Sequence, residues 1–185
     1  GVAVLSDAHG EGDVVLDDGL KAYREVVEHP GGVCVLPYDG HVVTLVRQFR
    51  IAVGEYVLEA PAGKLEVDDT DPEARGRAEL EEEAGLLAET FIPAGVIFAS
   101  VGFCSERIHL YLALDLTATS QQLEPEERIE LVHLNLQEVR DGLKQHRFND
   151  AKTIVLLQAL LHHLDEASVW TRYKKGHTGK SRVTS

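Results

Sequence analysis

The chain has 185 residues, with 18 Lys and Arg against 31 Asp and Glu, a formal net charge of -13. That balance argues against a protein that grips a nucleic-acid backbone, since such proteins carry a basic face; a small phosphorylated substrate stays open, because bound cations reverse the local sign. Apolar residues make up 44% and charged residues 26%, as in a globular domain long enough to bury a core, and no apolar run approaches the roughly 20 residues of a membrane span.

Residues 1–20 mix short apolar stretches, 2–5 and 14–16, with Gly and Asp turns, and read as a hairpin. Residues 23–29 alternate in part and read as a strand, broken by His29-Pro30-Gly31-Gly32. Residues 32–37 (GVCVLP) read as a short apolar strand and Tyr38-Asp39-Gly40 as a turn. Residues 41–49 form a further strand closing in VRQFR, and 56–61 (YVLEAP) another.

The stretch from 60 to 86 organises the rest: a glycine turn, an acidic loop and a helix. Asp71 can cap free amides, Pro72 suits the first helical position, and Glu73 suits the positive end of the dipole. Gly85 is the stop. Glu79, Glu82 and Glu83 share one face, while Glu81 points off it into solvent. Like charges at that spacing repel by a few tenths of a kcal/mol. The plain reading is a solvated acidic helix. The sharper one places a cation among these carboxylates and Asp68, Asp69 and Asp71 just upstream, and oxygen-rich clusters suit Mg²⁺ or Mn²⁺.

Further on, 109–116 reads as a strand, 117–128 as a polar loop, and 129–135 as a strand. Residues 136–146 and 151–164 are helical by apolar period, the second capped by Asn149 or Asp150. The tail from Thr171 is basic and without apolar period, so fraying is expected. Cys34 and Cys104 sit among apolar neighbours and read as reduced packing residues. The histidines, His162-His163 included, match no transition-metal spacing. No secretory signal is visible in this stretch, so the cytoplasm is the default compartment. There is no internal repeat or linker, which leaves one domain.

The 60–86 stretch resembles the Nudix hydrolase box, G-x5-E-x7-R-E-U-x-E-E-x-G-U with U aliphatic. Gly63 matches its first glycine, and Glu79, Leu80, Glu82, Glu83, Gly85 and Leu86 match its second half in order. Two departures stand out. Gly63 to Glu79 is one residue too long, so Asp69 or Thr70 falls where the loop glutamate belongs. The box arginine, which in the family orients a metal-binding glutamate, is Ala78, with Arg77 one step or about 100° away around the helix. REVVEHPGGVCVLP, VRQFR and LEAPAGKLE before the box, and the segment 101–106 and NDAKT after it, are similar to the ADP-ribose diphosphatase branch. The agreement spans 23–164.

The resemblance implies a Nudix α/β/α sandwich with a mixed central sheet, helices on both sides and the carboxylate-bearing helix against one edge. It implies an N-terminal β extension over 1–28 that forms a two-fold homodimer, a Nudix domain over 29–170, and a basic tail over 171–185. The implied activity is Mg²⁺-dependent hydrolysis of ADP-ribose or a related nucleotide sugar. Glu79, Glu82 and Glu83 would hold two or three ions, with the Ala62 carbonyl as a further oxygen. The general base would come from the loop before a late strand, Glu127 first and Glu126 second. Arg50 or Arg47 would meet the phosphates, Ser105 and Glu106 the second ribose, and Tyr23 with the partner's Arg24 the adenine. Two other readings compete: a hydrolase preferring another nucleotide sugar such as UDP-glucose, and a degenerate domain that binds such nucleotides without turnover, for which Ala78 and the extra loop residue speak.

Overall fold

A computed structural model describes residues 3–4, 11–66, 69, 71–123, 125 and 127–177. Three short strands come first: β1 (Ala3–Val4), β2 (Glu11–Val15) and β3 (Lys21–Glu25), paired antiparallel in that order. Ala3 and Val4 lie opposite Val15 and Val14, which is the pairing expected of the N-terminal hairpin. The expected strand over 23–29 starts earlier and ends at Glu25; beyond it Val27 makes a single bridge to Cys104.

Next come β4 (Gly32–Pro37), β5 (Val42–Arg50), β6 (Glu55–Glu59), β7 (Ala62–Lys64), α1 (Pro72–Ala84), β8 (Leu86–Phe98), β9 (Arg107–Ala118), β10 (Glu130–Asn135), α2 (Leu136–Lys144) and α3 (Ala151–His177). A mixed four-stranded sheet runs β7-β4-β9-β8, with β4 and β9 parallel. A separate antiparallel sheet runs β10-β5-β6.

Every residue of β4 is buried, because both faces of its sheet are covered. Val33 and Val35 pack with Leu80 and Ala84 of α1 and with Tyr111 and Ala113 of β9. Cys34 and Leu36 point the other way, into a core with Leu110, Leu112, Leu156, Leu157 and Leu160. Strand alternation thus sends one set of side chains to α1 and the other to α3. Val43 and Leu45 of β5 join that second core.

Three features differ from the sequence reading. The carboxylate helix α1 lies on the face of β4 and β9, and only its acidic side reaches the edge strand β7. The glycine turn at 62–64 is itself that edge strand, too short to show a period. The strand β8 has no counterpart in the reading, since Pro93 and Gly95 interrupt its sequence; the sheet absorbs them in a register shift between those residues. In addition, α3 continues past Thr171 to His177. A helix already nucleated propagates at little cost through residues of good propensity such as Lys and Arg.

Candidate active site

The entry to α1 is built as its sequence dictates. Asp71 Oδ1 accepts from the amides of Glu73 at 3.0 Å and Ala74 at 3.2 Å, Pro72 opens the helix, and Gly85 ends it with φ 63°. Asp69 is spent on the loop, accepting the Glu66 amide at 2.8 Å. Asp68 and Thr70 lie outside the described residues. From this fixed start, Glu79, Glu82 and Glu83 face one cavity of ≈ 430 Å³ together with Glu127, Arg50 and Arg75. Glu81 stays off it, near the Gln122 side chain at 3.4 Å.

Glu79 and Glu83 are only 6% and 5% exposed. Burial pushes the Glu83 carboxyl up to about 8; the Ala62 amide, donating to its Oε2 at 2.9 Å, opposes this, and the neighbouring Glu79 and Glu127 add to it. Burial also raises Glu79, against the pull of Arg75. Gly63 of β7 makes room for Glu79: a Cβ there would collide with the Glu79 carboxyl. Ala62 therefore enters the site through its amide as well as by position.

An adjoining cavity of ≈ 410 Å³ shares Arg50, Ala62, Gly63 and Lys64 with the first, and adds His29, Glu106 and Lys152. Its cationic wall rests on Glu59, which is 3% exposed. Arg50 forks onto Glu59 through Nε at 2.6 Å and Nη2 at 3.0 Å, and Lys152 Nζ donates to Glu59 at 2.6 Å and to Asp150 at 2.7 Å. Burial works against the Glu59 charge, but the Arg50 fork and Lys152 outweigh it and hold the carboxyl below its usual range. Asp150, not Asn149, caps α3, accepting the Thr153 amide at 2.9 Å and its hydroxyl at 2.6 Å. The Thr153 hydroxyl in turn takes the Ala60 amide at 2.8 Å, tying α3 to the segment between β6 and β7.

Alternation along β5 sorts its arginines. Gln48 and Arg50 line the carboxylate cavity. Arg47 faces the other way, paired with Glu130 at 3.0 Å and lying over the Tyr56 ring at 4.5 Å, so within one chain it does not reach the site expected of it. Glu106 lines the second cavity, 3.6 Å from His29 Nδ1. Ser105 lies outside both, accepting the His29 amide at 2.9 Å beside a third cavity with Glu66 and Asp69. Tyr23 and Arg24 sit on β3, exposed and away from all three cavities of their own chain. Glu126 lies outside the described residues.

The sequence reading missed Lys152, Glu59 and Arg75. The first two belong to segments it did single out, NDAKT and LEAP, but as a helix start and a strand. Their joint role appears only when α3 is laid beside β6.

Among the described residues, no group of three His, Cys, Asp or Glu side chains stands close enough to hold a metal ion as placed; the Arg75 guanidinium reaches Glu79 and lies 4.0 Å from Glu82. The donor set still fits a hard divalent cation. It is all oxygen, it includes two buried carboxylates, and one of these has its pKa lifted to about 8, a charge deficit that a cation relieves. Both cysteines are free, and the Cys34 thiol, fully buried against the Ala60 carbonyl, is pushed far up by burial and plays no part. No helix among the described residues is long and apolar enough to cross a membrane.

The NUDIX domain profile matches residues 28–157. The chain is 34% identical over 151 residues to an ADP-ribose pyrophosphatase of Bacillus subtilis (strain 168), covering 80% of this chain and 81% of that one. It is 36% identical to a methanol dehydrogenase activator of Bacillus methanolicus over the same shares, 80% and 81%. It is 33% identical to a GDP-mannose pyrophosphatase of Cronobacter sakazakii, over 80% of this chain and 83% of that one. A crystal structure of an ADP compounds hydrolase superposes with a TM-score of 0.72 at 19% identity, covering 90% of this chain and 93% of the other, a likeness of fold.

Proposed function

This chain belongs to the Nudix family, and we propose that it hydrolyses the diphosphate of ADP-ribose or a related nucleotide sugar with the help of Mg²⁺. One observation carries the reading: the carboxylate cavity and the cationic cavity adjoin and share Arg50, Ala62, Gly63 and Lys64. A diphosphate lying across that shared wall meets cations on one side and the α1 carboxylates on the other.

Glu79, Glu82 and Glu83 would hold the divalent cation, which supplies charge neutralisation and a water of lowered pKa. The protein's own groups do the rest. Arg50 and Lys152, pinned by Glu59, bind phosphate oxygens in a fixed place, so little reorganisation is needed as charge develops. Glu127, in the same cavity as the α1 carboxylates, accepts the proton of the attacking water. The new bond joins that water's oxygen to one phosphorus, and the bridging P–O bond breaks. With ADP-ribose the products are AMP and ribose 5-phosphate. Glu106 lines the second cavity, where a carboxylate accepts from ribose hydroxyls.

We also read the molecule as a homodimer. Tyr23, Val27, Phe49, Ile51, Tyr56 and Phe98 are all more than half exposed, apolar side chains that a second copy would cover. The two free cysteines suit a reducing compartment such as the cytoplasm.

The test is phosphate-coupled hydrolysis of ADP-ribose beside ADP-glucose, UDP-glucose, GDP-mannose, diadenosine polyphosphate and NADH, each with Mg²⁺, Mn²⁺ or chelator. Metal-dependent turnover favouring ADP-ribose is the expected result. Preference for another nucleotide sugar would move the substrate and leave the chemistry. Tight ADP-ribose binding with no turnover on any substrate would replace the hydrolase by a nucleotide-binding domain.

A further inference from the structure

Position 78, directly before Glu79, is alanine, so no arginine there can act on that glutamate. Arg77 does not substitute. Its guanidinium is committed to Glu73 at 3.0 Å and 2.8 Å, to the Ala88 carbonyl at 2.7 Å, and to the face of Phe91 at 4.1 Å. All of these lie away from the carboxylate cavity.

Arg75 is placed differently. It sits one turn before Glu79 on the same face, its Nη2 donates to Glu79 Oε1, and Glu82 Oε2 is 4.0 Å away. Its Nε is buried with no hydrogen-bond partner among the described residues. The missing side chain of Gly63 leaves the space that the Glu79 carboxyl fills. The Glu79 carboxyl thus meets both an arginine and a strand backbone.

We propose that Arg75 is the positioning residue of Glu79. From one helical turn upstream it orients that carboxylate for the divalent cation, which makes Ala78 a tolerated departure from the Nudix box. The proposal rests on the reading of α1 as the cation-bearing helix.

The experiment compares wild type, Arg75→Ala, Arg75→Lys, Ala78→Arg and the double variant Arg75→Ala/Ala78→Arg. Each is measured for kcat and KM on the preferred nucleotide sugar, for Mn²⁺ affinity by electron paramagnetic resonance, and for helix content by circular dichroism. Partners that orient a metal ligand are worth about 10–100-fold in metal affinity or activity. Arg75→Ala is expected to lose that factor in kcat and to bind Mn²⁺ more weakly, with KM nearly unchanged. The double variant is expected to recover most of the loss, and Ala78→Arg alone to gain little. Arg75→Lys keeps the charge without the planar fork and is expected to fall between, which decides the matter should the alanine variant misfold. Unchanged kcat and Mn²⁺ affinity in Arg75→Ala or in Arg75→Lys would overturn the proposal. So would tighter Mn²⁺ binding, which would make the guanidinium a competitor for the cation's place. A wild type that turns over no nucleotide sugar refutes the hydrolase reading, while the Mn²⁺ measurements still decide the role of Arg75.

Discussion

The amide of Ala62 donates to Glu83 Oε2 at 2.9 Å, a bond that fastens the edge strand β7 to the carboxylate helix α1. It holds Glu83 in the carboxylate cavity, beside the residues that the two cavities share, and spends one lone pair of an otherwise desolvated carboxylate. Glu83→Gln keeps an acceptor for that amide and removes the charge. Turnover should fall by more than about 100-fold, beyond the loss typical of an outer-shell partner, with the circular dichroism spectrum unchanged. A variant of near-normal rate would take Glu83 out of the cation site.

Stability of the metal-free protein should depend on pH through the same residue. The Glu83 carboxyl is raised from 4.5 in the unfolded chain to about 8 in the folded one. Between those values the folded state holds a proton that the unfolded state has lost, so stability is fullest below the lower value and declines as pH climbs to the upper. Thermal unfolding of metal-stripped protein should show the midpoint dropping by several degrees from pH 5 to pH 8, and Mg²⁺ should offset the drop at the alkaline end. A flat profile without metal would contradict the burial argument.

Glu59 supports two cations at once. Removing one partner of a buried ion pair costs about 3–5 kcal/mol, so Glu59→Ala should unfold at clearly lower denaturant concentration. Lys152→Met leaves the Arg50–Glu59 fork in place and should be milder for the fold. It removes a charge-assisted donor of about 1.5–3 kcal/mol from the second cavity, so KM for nucleotide sugars should rise about tenfold or more. Unaltered kinetics in Lys152→Met would confine that lysine to a structural role.

Gly63→Ala tests the close approach of β7 to α1. The added methyl falls where the Glu79 carboxyl lies. A flexible side chain can swing aside, so the fold should survive with a small change in melting temperature while kcat falls steeply. Loss of folding instead would mean that the strand itself cannot shift.

The apolar surface around the β5–β6 turn predicts association. Ile51 is 90% exposed. Sedimentation equilibrium should give twice the chain mass for the wild type and a reduced mass for Ile51→Asp. A monomeric wild type would leave Tyr23 and Arg24, which stand away from their own chain's cavities, without a route to the substrate.

Local signals made the core of this protein readable without coordinates. Capping chemistry at Asp71 and Pro72, the stop at Gly85 and the 3.6-residue period fixed which carboxylates of α1 share a face, because each depends on residues within a turn or two. The alternation of β5 likewise separates Arg50 from Arg47, although which of the two faces the cavity follows only from what packs behind the strand. The β7 and β8 strands escaped the reading for opposite reasons: one is three residues long, and the other carries Pro93 and Gly95, which only the neighbouring strand β9 can accommodate. The sequence alone determined the carboxylate helix and its family. Tertiary structure decided that Lys152 and Arg50 share Glu59 and that Glu127 lines the same cavity as the α1 carboxylates. These groupings join side chains from separate elements, and which elements meet is not written in any local spacing.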